Sequence, residues 1–146
     1  MSCTFLHAIH LPALTIQPLR IPLFSHKVAA GFPSPADDYI QGRLSLDEHL
    51  IAHKEATFFV RAIGNSMVGA GIFDGDLLVV DKSLTPASGD IVIALVDGDL
   101  TVKRFIKRGD KIVLKPENPR YTEIEFKDGQ ELQVWGVVTA AIKKFI

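Results

Sequence analysis

Apolar and polar residues along the first 40 or so positions follow neither a helical nor a strand repeat, and Pro12, Pro18, Pro22, Pro33 and Pro35 fall among them. Each proline removes a backbone donor and biases its predecessor toward extended backbone. This part is expected to be an extended arm. The stretch "SLDEHLIAHKEA" then supplies Leu46, Leu50 and Ile51 as a short apolar face. Ser45 and Glu48 stand at capping-box spacing before it, which predicts a helix of two to three turns ending near His53. From Thr57 onward the pattern changes to short apolar and β-branched runs. "TFFVRAIG", "DLLVVD", "DIVIALV", "LTVKRFIK" and "KIVLKP" all have strand length. Asp74-Gly75, Ser88-Gly89, Asp97-Gly98, Arg108-Gly109-Asp110 and Asp128-Gly129 punctuate them as turns. "LQVWGVVTAAIKKFI" predicts a long last strand with a bend at Gly136. Strands at this spacing imply a mainly β fold, a sandwich or a partial barrel.

Composition adds bounds to this picture. The chain has 146 residues, 47% hydrophobic and 23% charged, the mix of a globular chain with room for one core. A formal net charge of -1 supplies no basic field, so direct sequence-specific DNA binding is not expected. Cys3 is the sole cysteine, which excludes an internal disulfide and a cysteine metal framework. The N-terminus lacks a basic region before its apolar residues, and no apolar run reaches the ~20 residues that span a bilayer. The expectation is a soluble, cytoplasmic protein that uses no cofactor and no metal.

Candidate chemistry centres on "GNSM". Ser66 follows Gly64-Asn65 directly after a strand pattern. One reading is a turn serine. The other is a nucleophile beside backbone N–H groups left free at the start of a helical turn, which can stabilise an oxyanion. A serine nucleophile needs a base. His7, His10 and His26 lie in the arm. His49 and His53 stand four apart, but no third ligand accompanies them, so an exposed polar helix face suits them better than a metal. Lys103 is the other possible base: alternation puts Thr101, Lys103 and Phe105 on one strand face. If that face is covered, the ammonium loses its hydration and the lysine's pKa falls. A solvated strand lysine is the plainer reading, and it suits Arg104, Lys107, Arg108, Lys111 and Lys115. The aspartates of "FDGD" and "VDGD" are explained by turn geometry.

Three features coincide: the small pair Ala30-Gly31, Ser66 in "GNSM", and Lys103 in "TVKRF", 37 positions after Ser66. Together they resemble the LexA/UmuD family of self-cleaving serine peptidases, and the likeness runs from about Pro22 to the C-terminus. The resemblance implies a curled, mainly β sheet with one or two short helices. It makes Ser66 the nucleophile, Lys103 the general base and Ala30-Gly31 the cleavage pair. The oxyanion donors become the backbone N–H groups of Ser66 and Met67. The chain then divides into a removable arm, 1–30, and a peptidase-type domain, 31–146, with 31–45 partly linker.

The resemblance further implies the role of the family branch without a helix-turn-helix. That role is an accessory subunit of an error-prone translesion polymerase in the SOS response to DNA damage. The implied partners are a second copy of the chain, a UmuC-like Y-family polymerase subunit and a RecA–single-stranded DNA filament. Residues 31 to 66 could stretch over roughly 115 Å, so the arm can reach a site in its own chain or in a dimer partner. The alternatives are the peptidase part of a phage-type repressor, a non-catalytic β interaction module, and a signal-peptidase-like hydrolase, which would need a membrane anchor.

Overall fold

The computed structural model describes residues 17–25, 27–31, 40–126 and 131–146. The chain divides into two compact units, Met1–His49 and Leu50–Ile146. In the first, β1 (Ile21–Phe24) pairs antiparallel with β2 (Ile40–Leu44), Ile21 opposite Leu44 and Leu23 opposite Gly42. The arm thus holds a strand where only extended backbone is expected. Pro22 tolerates this place because an antiparallel pair leaves every second residue free of ladder bonds. The helix α1 (Leu46–Leu50) follows, shorter than its pattern predicts. Glu48 pairs with Arg20 at 2.8 Å. With few apolar contacts along its face, so short a helix has little to extend it.

The second unit is a seven-stranded antiparallel sheet. Its strands are β3 (Thr57–Arg61), β4 (Leu77–Asp81), β5 (Ile91–Val96), β6 (Asp99–Arg108), β7 (Lys111–Lys115), β8 (Ile124–Phe126) and β9 (Gln133–Ile142). Their order is β3-β4-β9-β5-β6-β7-β8, an open, curled sheet as the resemblance implies. Turns form at the glycine positions expected, and Arg108-Gly109-Asp110 joins the β6–β7 hairpin. Asp128-Gly129 lies outside the described residues.

Two apolar clusters explain the continuous runs. Ala62, Met67, Ile72, Leu78, Val80 and Ile93 form one; Val92, Ala94, Phe105, Leu114 and Val137 form the other. Successive residues of β5 serve opposite clusters, so "DIVIALV" is apolar throughout instead of alternating. Fully burying each such Leu or Val contributes about 1.5–3 kcal/mol. The register of β9 shifts on either side of Gly136, where a bend is expected, and not at Gly136 itself. Trp135 is skipped in the pairing with β5, and Thr139 in the pairing with β4. At Gly136 between them, a Cβ would lie 2.6 Å from Val80 Cγ1, so only glycine lets β9 close on β4.

The segment that enters this unit is fastened at His53, which is not helical. Its Nδ1 lies 2.7 Å from Asp81 Oδ2, and its carbonyl accepts from Thr57 Oγ1. Ser83 donates to Asp81 Oδ1 from both its hydroxyl and its N–H. These Ser83 bonds, then His53, hold the Asp81 carboxyl below the usual carboxylate range. The folded state therefore gains from an ionised Asp81 above the ordinary carboxylate pKa, and loses that gain as pH falls through the lowered one.

Candidate active site

The polypeptide leaves β3 at Arg61 and returns as β4 at Leu77, and the loop between them carries Ser66. Its two ends are stitched together: Ala62 N–H donates to Asp76 O, and Gly75 N–H to Ala62 O, each at 2.8 Å. Gly64 N–H is held by Asp74 Oδ1. Met67, 2% exposed, plugs the loop into the first cluster. A 3-10 turn, Val68–Ala70, follows it. On the outer side, Lys143 donates to Gly71 O at 2.8 Å, pairs with Asp76 and lies 4.6 Å above the Phe73 ring. The Lys143 bond, with the N–H of Phe73, holds the Asp76 carboxyl below its ordinary range.

A second loop, Pro116–Pro119, clamps the turn. Glu117 N–H donates to Ser66 O, and Glu117 O accepts from Gly69 N–H, both at 2.8 Å. Asn118 Nδ2 donates to Asn65 O. Gly69 is required for this approach, because a Cβ there would stand 2.6 Å from Glu117 O. Gly69→Ala is expected to prise the turn off the clamp and slow any chemistry at Ser66 by about a hundredfold, the effect of a displacement near 1 Å. Cleavage rate and thermal unfolding of the variant check this together.

The hydrogen-bond inventory of the turn is uneven. The N–H groups of Val68, Gly69, Ala70, Gly71 and Ile72 all donate to backbone oxygens. Those of Ser66 and Met67 meet no acceptor among the described residues. Two adjacent unspent donors beside a serine hydroxyl form the kind of cradle that accepts a developing oxyanion.

Lys103 approaches from β6, opposite Val92 of β5. It is 9% exposed. Its Nζ lies 3.1 Å from Ser66 Oγ, 2.7 Å from Thr101 Oγ1 and 3.1 Å from Val102 O. Burial lowers its pKa from the ordinary lysine value. As an ammonium it donates to all three oxygens. As a neutral amine it keeps two N–H bonds, to Thr101 and Val102 O, and turns its lone pair toward the Ser66 hydroxyl. The site can thus hold either protonation state with every polar atom satisfied.

Ser66 and Lys103 share a cleft of about 340 Å³ with Val60, Ile63, Leu100 and Tyr121. Ala30 and Gly31 belong to the first unit, where both are exposed and Gly31 has open space around it. Phe32, Pro33, Pro35, Cys3, His7, His10 and His26 lie outside the described residues. Among the described residues, no three His, Cys, Asp or Glu side chains gather as a metal site. No helix among them is long and apolar enough to cross a membrane. The bond from Lys103 to Thr101 Oγ1 and the clamp at Glu117 were not evident in the sequence. Thr101 shared a face with Lys103, whereas no local pattern marks Glu117.

A family model described as Peptidase S24-like matches residues 22–139. The chain is 51% identical over 123 residues to Protein SamA of Salmonella typhimurium, covering 84% of this chain and 85% of that one. It is 41% identical to Protein MucA of Escherichia coli, over 84% of each chain. It is also 40% identical over 126 residues to the LexA repressor of Caldicellulosiruptor saccharolyticus, covering 86% of this chain and 60% of the repressor.

Proposed function

The chain belongs to the peptidase S24-like family, and from that premise we propose that it is a self-cleaving Ser–Lys peptidase cutting its own Ala30–Gly31 bond. The observation that carries this reading is the 3.1 Å approach of Lys103 Nζ to Ser66 Oγ beside two unspent N–H donors. Neutral Lys103 takes the Ser66 hydroxyl proton as Oγ attacks the Ala30 carbonyl carbon. The N–H groups of Ser66 and Met67 receive the oxyanion. The C–N bond to Gly31 then breaks, and Lys103 returns its proton to the departing amine. Water, deprotonated by Lys103, attacks the Ala30 ester, and Ser66 leaves with that proton. The products are an Ala30 carboxylate, a Gly31 amine and the enzyme unchanged.

The edge of β6 supports delivery of an extended segment. β5 pairs with β6 from Asp99 to Arg104, but β7 pairs with it only from Arg104 to Arg108. Among the described residues, Leu100 to Lys103 therefore have a strand partner on one side only, and these residues line the cleft with Ser66. A strand laid along that edge gains backbone hydrogen bonds irrespective of side chain. Small residues at Ala30 and Gly31 then let the scissile bond close on the serine.

In the cell, we assign the protein the part of an SOS accessory subunit. It dimerises, loses residues 1–30 when a RecA–single-stranded DNA filament assists, and acts as residues 31–146 with a UmuC-like polymerase. The 51% identity to Protein SamA, against 40% to the LexA repressor, supports this over a repressor's peptidase part. Purified protein incubated at neutral pH with RecA, single-stranded DNA and a nucleoside triphosphate should yield a new N-terminus at Gly31. Omitting any one component should slow its appearance. Equal rates with and without the filament would contradict the assignment.

A further inference from the structure

Resting on the peptidase reading, we infer that the Arg104–Glu117 ion pair is a strut fixing the serine turn at working distance from the lysine strand. Arg104 and Glu117 are then positioning residues for the cleavage. Arg104 is the residue after Lys103, and its backbone is paired on both sides, with Ile91 of β5 and Lys115 of β7. Its Nε donates to Glu117 Oε1 at 2.7 Å, and its Nη1 to Gly89 O at 2.6 Å. The guanidinium is therefore anchored at both ends. Glu117 in turn holds Ser66 and Gly69 through its own N–H and carbonyl.

Two side-chain routes thus join β6 to Ser66, beside the β6–β7 ladder that leads through Lys115 to Glu117. The direct one, Lys103 Nζ to Ser66 Oγ, is the contact the reaction rearranges, because its proton moves and Oγ becomes bonded to carbon. The indirect one, Arg104 to Glu117 to the Ser66 backbone, takes part in no step and stays constant throughout. Ser66 lies on a loop tied to itself and to the first cluster, and the constant route fixes that loop against β6 when the direct contact is broken. The side chains are 28% and 22% exposed, which shields the pair from solvent more than an ordinary surface bridge. The planar fork of arginine suits the task, since it fixes direction as well as distance.

The test compares self-cleavage of the full chain with that of Glu117→Gln, Arg104→Met and the double variant, across pH to the high-pH plateau. Rates are normalised to the folded fraction by circular dichroism. At the plateau the lysine is neutral, so the rate reads geometry alone. Each single variant should lower the plateau about ten- to hundredfold, and the double variant no further than the worse single, because both remove one strut. If Arg104→Met does not fold, Arg104→Lys replaces it, keeping the charge without the fork, with the same expectation. Unchanged plateaus, or losses that multiply in the double variant, would overturn the strut while leaving the peptidase reading intact. No cleavage by the unaltered chain would overturn both.

Discussion

Ser66→Ala should leave the chain uncut at Ala30–Gly31, with a rate lower by at least about ten-thousandfold. The loss is so large because the bond-forming oxygen is gone, while the N–H cradle alone activates water poorly. The fold should be spared. The Ser66 carbonyl still accepts from Glu117 N–H, and Met67 still fills the core. Lys103 retains Thr101 and Val102 O as partners. The lost hydrogen bond is worth about 1 kcal/mol, so thermal unfolding should shift by only a few degrees. Mass spectrometry after prolonged incubation, paired with a melting curve, checks both halves.

Lys103→Met should have the next largest effect, and it separates chemistry from stability. Without the amine, cleavage near neutral pH should fall about a hundred- to ten-thousandfold, the usual contribution of a positioned base. Hydroxide should restore part of it at high pH. Stability should move the other way. Burial lowers the lysine's pKa in the folded chain, so the unfolded chain binds more protons between that value and 10.5. Folding of the unaltered protein is therefore penalised at lower pH and relieved as pH rises through that window. The methionine variant carries no such penalty and should melt higher at neutral pH, the gain shrinking toward pH 10.5. Melting curves across pH decide it, and a variant that melts lower at every pH would contradict the burial argument.

The strands of the second unit were legible because burial on two faces leaves continuous apolar runs. "DLLVVD" and "DIVIALV" announce β4 and β5 without any alternation to read. The β1–β2 pair was not legible: Pro22 and Gly42 lower strand propensity, and the register depends on a partner some twenty residues away. The helix pattern ran too far because local periodicity cannot show that His53 is taken by Asp81. Ser66 and Lys103 stood out as residue types in plausible local settings, and resemblance joined them. What brings them into contact is long-range. It depends on Gly69 admitting Glu117 and on Arg104 bracing Glu117, neither of which has a signature within a short window.

The most direct test is the pH dependence of cleavage by the purified full-length protein, with the new N-terminus identified by mass spectrometry. A base of lowered pKa predicts a single fragment beginning at Gly31. Its rate should climb about tenfold per pH unit and level off with a midpoint below 10.5, and no fragment should form from Ser66→Ala. A flat profile from about pH 6 to 10, or a Ser66→Ala chain cut as fast as the unaltered one in protease-free preparations, would contradict the account.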